Sequence, residues 1–415
     1  MSESQPPADN WRTTMRKITS SQPVTIFLAL VVALVVGAVL IAAADPDVQT
    51  TASYLAGRPS DFFSALGQAV ADAYSALFQG AVFNFSAPTA ARFFEPLTKS
   101  IAYSVPLIFA GLALGVGFRA GLFNIGAQGQ IILGGVICGY IGFSWHLPPG
   151  LHLVVCILGA FIGGALWGFV PGILKAKTGA NEVIVTIMLN SVAGFLLGWL
   201  LTLSAFHRAG SNLPISPMVD HTATYPSFFG SAIDLGFVLA LATAFGVWWM
   251  MERSTLGFRI RAVGENPDAA RTAGMSVQLS YVWVMVISGG LAGLAVTSQL
   301  LAGVATQQQQ LNTNIAATFG FDAITVALLG RSKPLGTVLA AFLMGALRAG
   351  GYLMQAATRT PIDIILVVQS VVVLLIAAPP LVRAIFRLPD PERRGKRRTK
   401  VRANPGAVVE EVAAA

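Results

Sequence analysis

VTIFLALVVALVVGAVLIAA, residues 24–43, is twenty residues long and carries no charge. At a rise of 1.5 Å per residue a helix of that length reaches about 30 Å, the thickness of a bilayer's hydrocarbon core. Arg12, Arg16 and Lys17 precede it, as they would a signal peptide. Its length and the lack of an obvious cleavage site predict a retained first span instead.

Working outward, apolar runs of similar character recur near 101–118, 125–143, 153–174, 183–206, 232–251, 279–300, 315–330, 335–354 and 362–378. About ten spans are expected, and with them an all-α, polytopic transmembrane helical bundle. The eighth run is short and interrupted by Gly320 and Asp322, and the third is studded with polar residues. Both are candidates for broken or re-entrant segments.

Composition agrees with this reading. The chain is 54% hydrophobic and 11% charged, against about 25% charged in a soluble chain. A soluble, disordered or disulfide-framed protein is excluded. The net charge of +8 follows from topology, because Lys and Arg concentrate in cytoplasmic loops. An N-in, C-in arrangement puts 21 of the 27 basic residues inside and leaves Arg58, Arg92, Lys99, Arg208, Arg348 and Arg359 outside. The chain then divides into a cytoplasmic tail 1–23, a membrane domain 24–382 and a basic cytoplasmic tail 383–415. Within the domain, 45–100 is external with room for one or two surface helices, 207–231 is a shorter external loop, and 252–276 is cytoplasmic. The run Arg393 to Arg402 suits anionic lipid of the bilayer's inner leaflet, and no nucleic-acid partner is expected.

The search for chemistry is negative. Cys138 and Cys156 sit in apolar runs without a second ligand, and His146, His152, His207 and His221 lie in loops or at segment ends. No phosphate loop, HExxH, GxSxG or paired-carboxylate motif occurs. No catalytic residue, metal site or bound cofactor is read, so any energy source belongs to another subunit. Glycines at four-residue spacing, Gly135 and Gly139, Gly159 and Gly163, Gly164 and Gly168, Gly289 and Gly293, allow close helix approach, within one bundle or across a dimer face.

Four stretches carry polar groups where lipid disfavours them. GLFNIGAQGQ (121–130) offers Asn124, Gln128 and Gln130, either as interhelical ties or as lining of a wet cavity. ANEVIVTIMLN (180–190) places Asn181, Glu182 and Thr186 near one helical face and ends on Asn190. Glu182 at a helix start also fits simple capping. Asp322, in FGFDAITVALLG (319–330), is either a functional intramembrane acid or a cap. The cytoplasmic LGFRIRAVGENPDAARTAGM (256–275) reads as a short helix capped by Asn266, opened by Pro267 and closed by Gly274. That pattern suits a docking element.

Together with GFDAITVALLGRSKPLG (320–336), these motifs resemble the permease subunits of ATP-binding-cassette (ABC) importers, in the branch serving branched-chain amino acids, ribose and nucleosides. The first two look most like permeases paired with a nucleoside-binding lipoprotein. The resemblance spans roughly 100 to 380. It implies a multi-pass subunit of the inner (plasma) membrane, a separate ABC ATPase that uses ATP, a second, similar permease forming a heterodimer, and an extracytoplasmic substrate-binding lipoprotein. By that match Gly264, Glu265, Asn266, Ala269, Ala270 and Gly274 are expected at the ATPase-coupling helix. Asn124, Gln128, Gln130, Asn181, Glu182, Asn190 and Asp322 are expected along the translocation pathway. The loop 307–314, rich in Gln and Asn, is either a contact for the binding protein or a solvated linker. An inverted repeat would relate spans two to five with seven to ten. The rival readings are a branched-chain amino acid or simple-sugar permease, an ion-coupled transporter using Asp322 or Glu182, and an integral-membrane enzyme.

Overall fold

A computed structural model describes residues 22–228, 233–302, 309–358, 360–361 and 363–386. Arg12, Arg16, Lys17, Gln307, Gln308, Arg359 and the basic run from Arg393 lie outside them. The helices are α1 Gln22–Ala44, α2 Pro46–Ala52, α3 Pro59–Ala81, α4 Ala90–Arg119, α5 Ala127–Ser144, α6 Leu151–Thr178, α7 Glu182–Leu200, α8 Leu235–Arg253, α9 Thr255–Glu265, α10 Pro267–Thr272, α11 Val277–Leu294, α12 Thr297–Leu300, α13 Phe319–Leu329, α14 Pro334–Thr358, α15 Asp363–Ala377 and α16 Pro379–Ile385. Among the described residues eight spans are long and apolar enough to cross a membrane, and α13 and α15 are shorter apolar helices at the eighth and tenth expected positions.

Polar caps set many helix starts. Asp45, Asn181, Asp234, Ser254, Asn266 and Ser276 each accept a backbone N–H one to two residues into the helix that follows. The seventh span breaks after Leu294, where Thr297 and Ser298 donate back to the carbonyls of Leu294 and Ala295. Hydroxyls that bond backward in this way bend helices. The eighth breaks before Phe319 rather than at Gly320 or Asp322, which lie inside α13.

The chain forms two compact units. In the smaller, built from parts of the two ends, Ala29, Leu375 and Val382 make a small core flanked by Leu28, Val32 and Val371. The larger, Leu40–Leu366, is centred on α4, whose residues Val105 to Gly117 are buried on every side. A helix apolar all round belongs in a core. Within this unit α11 lies along α6, and α14 lies along α4; α13 meets α4 as α11 meets α5. The first member of each half therefore packs on the third member of the other, the exchange an inverted repeat produces.

The spaced glycines are consumed inside this bundle. A side chain at Gly164 would strike the Gly289 carbonyl, one at Gly168 the Met285 carbonyl, and one at Gly293 the Ala160 carbonyl. Gly135 and Gly139 take Val296 and Leu311 against their faces, and Gly159 takes Ile141. By contrast Ile184, Met188, Val192, Phe195 and Trp199 are exposed along one side of α7.

In the region 45–100, α3 is not a loose surface helix: Gly80 and Gly350 bring it against α14 backbone to backbone. The 207–228 loop is tied down as well. Ser216 N–H donates to the Leu311 carbonyl (2.9 Å), Val219 N–H to Gln309 (2.8 Å) and Tyr225 N–H to Leu301 (2.7 Å). Arg348 corrects the charge count, because it sits inside α14 and not in an outer loop.

Candidate functional site

The turn between α4 and α5 is a polar knot. Gly121 adopts φ +72°, which reverses the chain after α4. Asn124 then turns inward, fully buried, and its Oδ1 accepts the Gly126 N–H at 3.0 Å. Its Nδ2 donates to Gln130 Oε1 (3.0 Å) and to Ser288 Oγ on α11 (2.8 Å), while Gln130 Nε2 donates back to Asn124 Oδ1 (3.2 Å). Ser288 in turn donates to the Ala113 carbonyl at 2.8 Å. Asn124 and Gln130 thus spend their hydrogen bonds on each other and tie three helices.

Asn190, half-buried on α7, makes the second tie. Its Oδ1 accepts the Gly129 N–H (2.8 Å) and its Nδ2 donates to the Ile125 carbonyl (2.9 Å). Trp167 closes over Gly129, and its buried indole N–H has no partner among the described residues. Gln128 donates to the Ala317 carbonyl at 3.1 Å, while its own buried Oε1 has no partner among the described residues. At the start of α7, exposed Asn181 caps the helix and Glu182 pairs with Lys175 at 2.9 Å. Thr186 is buried beneath Gly126.

Asp322 lies one turn into α13. Its Oδ2 accepts from Thr318 Oγ1 (2.7 Å) and from Arg348 Nη1 (3.4 Å). The guanidinium stands 5.1 Å over the Phe319 ring. Sequence reading found Asp322 but missed Arg348, Ser288 and Trp167. A charge inside the long run that became α14 was the available signal for Arg348.

The stretch 256–275 folds as an elbow. Asn266 separates α9 from α10 and caps the latter, its Oδ1 accepting the Asp268 and Ala269 N–H groups at 3.0 Å each. Glu265, Asn266, Ala269 and Gly274 are exposed. Ala270 faces inward against Val263 and Val277, and Gly264 abuts the backbone of Arg119 and Ala120. Nearby, Arg119 donates to Glu252 (2.7 Å) and to the Ser332 carbonyl (3.0 Å).

A family model described as the branched-chain amino acid transport system / permease component matches residues 97–377, the region that holds every feature above. The chain belongs to this permease family. The guanosine ABC transporter permease NupP of Bacillus subtilis is 34% identical, covering 77% of this chain and 89% of the relative. The nucleoside permease NupB of Lactococcus lactis is 32% identical over 66% of this chain and 76% of its own length. The glucose permease TsgB13 of Haloferax volcanii is 33% identical over 68% and 75%. No solved structure matches the chain. This permease is therefore a multi-pass inner-membrane subunit of an ABC importer. Membership implies a separate ATPase and a substrate-binding protein as partners.

Proposed function

We propose that this permease forms, with a second and similar permease chain, the route by which nucleosides or a related sugar-containing solute enter the cell, with both termini cytoplasmic. The observation that supports the cargo most is the nature of the relatives, whose names specify guanosine, nucleosides and glucose. The bundle's chemistry is compatible, since its buried polar side chains among the described residues are serine and threonine hydroxyls, the amides Asn124, Gln130 and Gln299, and one histidine, with no buried carboxylate, lysine or arginine. A neutral, hydroxyl-rich solute needs hydrogen-bond partners without compensating charge.

In this reading the permease domain runs over 24–382, and 383–415 is a tail without a transport role. Gln128, Asn190 and Asp322 border the path. Asn124 and Gln130 shape it from behind, and Asn181 and Glu182 stand at the cytoplasmic end. Glu265, Asn266, Ala269 and Gly274 present the elbow to the ATPase, which alone binds and hydrolyses ATP. Gly264 and Ala270 anchor the elbow to the bundle. The binding lipoprotein docks on the opposite side, near the 207–228 loop and the described end of the 307–314 loop. Closure of the ATPase pair and docking outside then bias one two-state bundle from its two ends.

The Asp322–Arg348 pair favours a second reading, a zwitterionic amino acid held between the two charges. Such a cargo would have to break the pair to use it.

The test is uptake of labelled guanosine, uridine, ribose, glucose and leucine by cells expressing this chain with its ATPase, partner permease and binding protein. Ala269→Arg is the companion variant, because Ala269 is exposed and its replacement spares the Asn266 cap. The expected result is nucleoside or sugar uptake that falls at least about tenfold in the variant, as lost docking of about 1.4 kcal/mol or more requires, at unchanged membrane abundance. Uptake that persists in the variant and without the ATPase overturns the importer mechanism. Leucine as the sole substrate overturns the cargo.

A further inference from the structure

Arg348 lies 14 residues after Pro334 and 10 before Thr358, the ends of α14. At the helical rise it stands roughly 21 Å from one end and 15 Å from the other, whichever way the helix is oriented. Charge at that depth is costly in hydrocarbon and persists where it meets protein or a water-filled path. Yet the side chains of Arg348 and Asp322 are 22% and 29% exposed on the surface of this chain. That patch of surface is therefore not a lipid face.

The hydrogen-bond inventory shows what the patch holds in reserve. Asp322 uses only Oδ2, and Arg348 uses only Nη1, which reaches both Asp322 and Thr318 at 3.4 Å. Among the described residues, Asp322 Oδ1 and the Nε and Nη2 of Arg348 have no partner. Charge-assisted bonds of this kind usually close to about 2.7–2.9 Å; this pair is held more loosely. The Phe319 ring lies under the guanidinium, 5.1 Å from its central carbon. One turn further along α14, Tyr352 is 44% exposed, and its ring lies 5.7 Å from that of Tyr103, tilted by 34°. A carboxylate oxygen and a planar set of N–H donors thus open to one side, next to a paired aromatic surface.

We infer that this patch is a subsite for the hydroxylated ring of the cargo: Asp322 Oδ1 and the free N–H groups of Arg348 engage neighbouring hydroxyls of a furanose or pyranose, and Tyr352 with Tyr103 packs against the attached base or ring face. The chemistry is matched. Vicinal hydroxyls present a donor and an acceptor side by side, as the ion pair does in reverse, and a neutral diol binds without separating the charges. This subsite rests on the nucleoside-or-sugar reading above.

The experiment is transport by the complete reconstituted importer, comparing guanosine with 2′,3′-dideoxyguanosine in the wild type, in Asp322→Asn and in Tyr352→Leu. The two substrates share a base and differ only in the diol. The wild type is expected to favour guanosine by about 10- to 100-fold in kcat/KM, the worth of hydrogen bonds to charged groups. Asp322→Asn is expected to collapse that preference toward unity, and Tyr352→Leu to raise KM for both nucleosides alike. If Asp322→Asn does not reach the membrane, Arg348→Lys carries the same test, since it keeps the charge but loses the planar fork. A guanosine preference that survives these substitutions, or activity lost equally for both nucleosides in Asp322→Asn, overturns the subsite alone. A wild type that transports no hydroxylated ring overturns the cargo reading, and the subsite with it.

Discussion

Replacing Asn124 by alanine would leave Gln130, Ser288 and the Gly126 N–H facing each other across an emptied, fully buried site. Buried groups stripped of a partner cost about 1–3 kcal/mol each, and some will find new bonds. Asn124→Ala is therefore expected to destabilise the protein by about 2–4 kcal/mol, on the strength of that unpaired polarity. The midpoint of thermal unfolding in detergent measures it, and an unchanged midpoint would show that the knot carries no weight. The residue scale also shows where local reading stops. Asn124 and Gln130 stood out because amides in an apolar run are conspicuous by themselves. Ser288 did not, since its partner lies 164 residues away in the chain, and a lone serine in a span looks ordinary. Arg348 lies within the apolar run 335–354 and was nevertheless counted with the outer loops, because a charge count by loops has no place for a charge inside a span.

Between elements, the contact that matters most is that of α6 with α11. Gly164, Gly168, Gly289 and Gly293 let the two backbones touch, so even one methyl has nowhere to go. Gly164→Ala and Gly289→Ala are each expected to cost about 1–3 kcal/mol through forced separation of the helices. Gly246→Ala, where a side chain meets nothing within 4 Å, should be neutral or slightly stabilising, since alanine favours helix. Equal effects at Gly164 and Gly246 in unfolding measurements would remove the close-contact account. Four-residue spacing announced close packing in the sequence, but not the partner, which is a matter of tertiary pairing. Element ends were legible to within a few residues where a cap exists, as at Asn181 and Asn266. They were least legible where turns continue an apolar run, so that the fifth span closes at Leu200 and not at 206.

For the larger unit taken whole, the reciprocal packing of its halves could not be read from residue identity, because the two halves share geometry rather than a visible motif. The strapped loop across it is a second such feature. Asp220 holds its turn by accepting the Thr222 N–H at 3.1 Å, with His221 at 2.7 Å from the same carboxylate. The bond to the Thr222 backbone, aided by His221, keeps the Asp220 carboxyl below its ordinary range. A carboxyl whose folded value is depressed contributes stability that is present above the unfolded value, near pH 3.9, and is lost as the pH falls through the folded one. Amide exchange at 220–223, corrected for intrinsic rates, is therefore expected to accelerate in the wild type below about pH 4 while α6 and α11 stay protected. Asp220→Asn should abolish that pH dependence, and its persistence in the variant would assign the change to another group.

Gly264 rests on the main chain of Arg119 and Ala120, and the Gly264 carbonyl faces Gly121. At Gly264 the nearest atoms across the joint are backbone on both sides. Long side chains act as cushions, since their rotamers absorb small displacements before the backbone feels them. This joint has no cushion. In the proposed coupling role, a push on this elbow is either handed on undamped to the reversal at Gly121 or parts the two surfaces altogether, so the rest of the bundle receives the displacement in full or not at all.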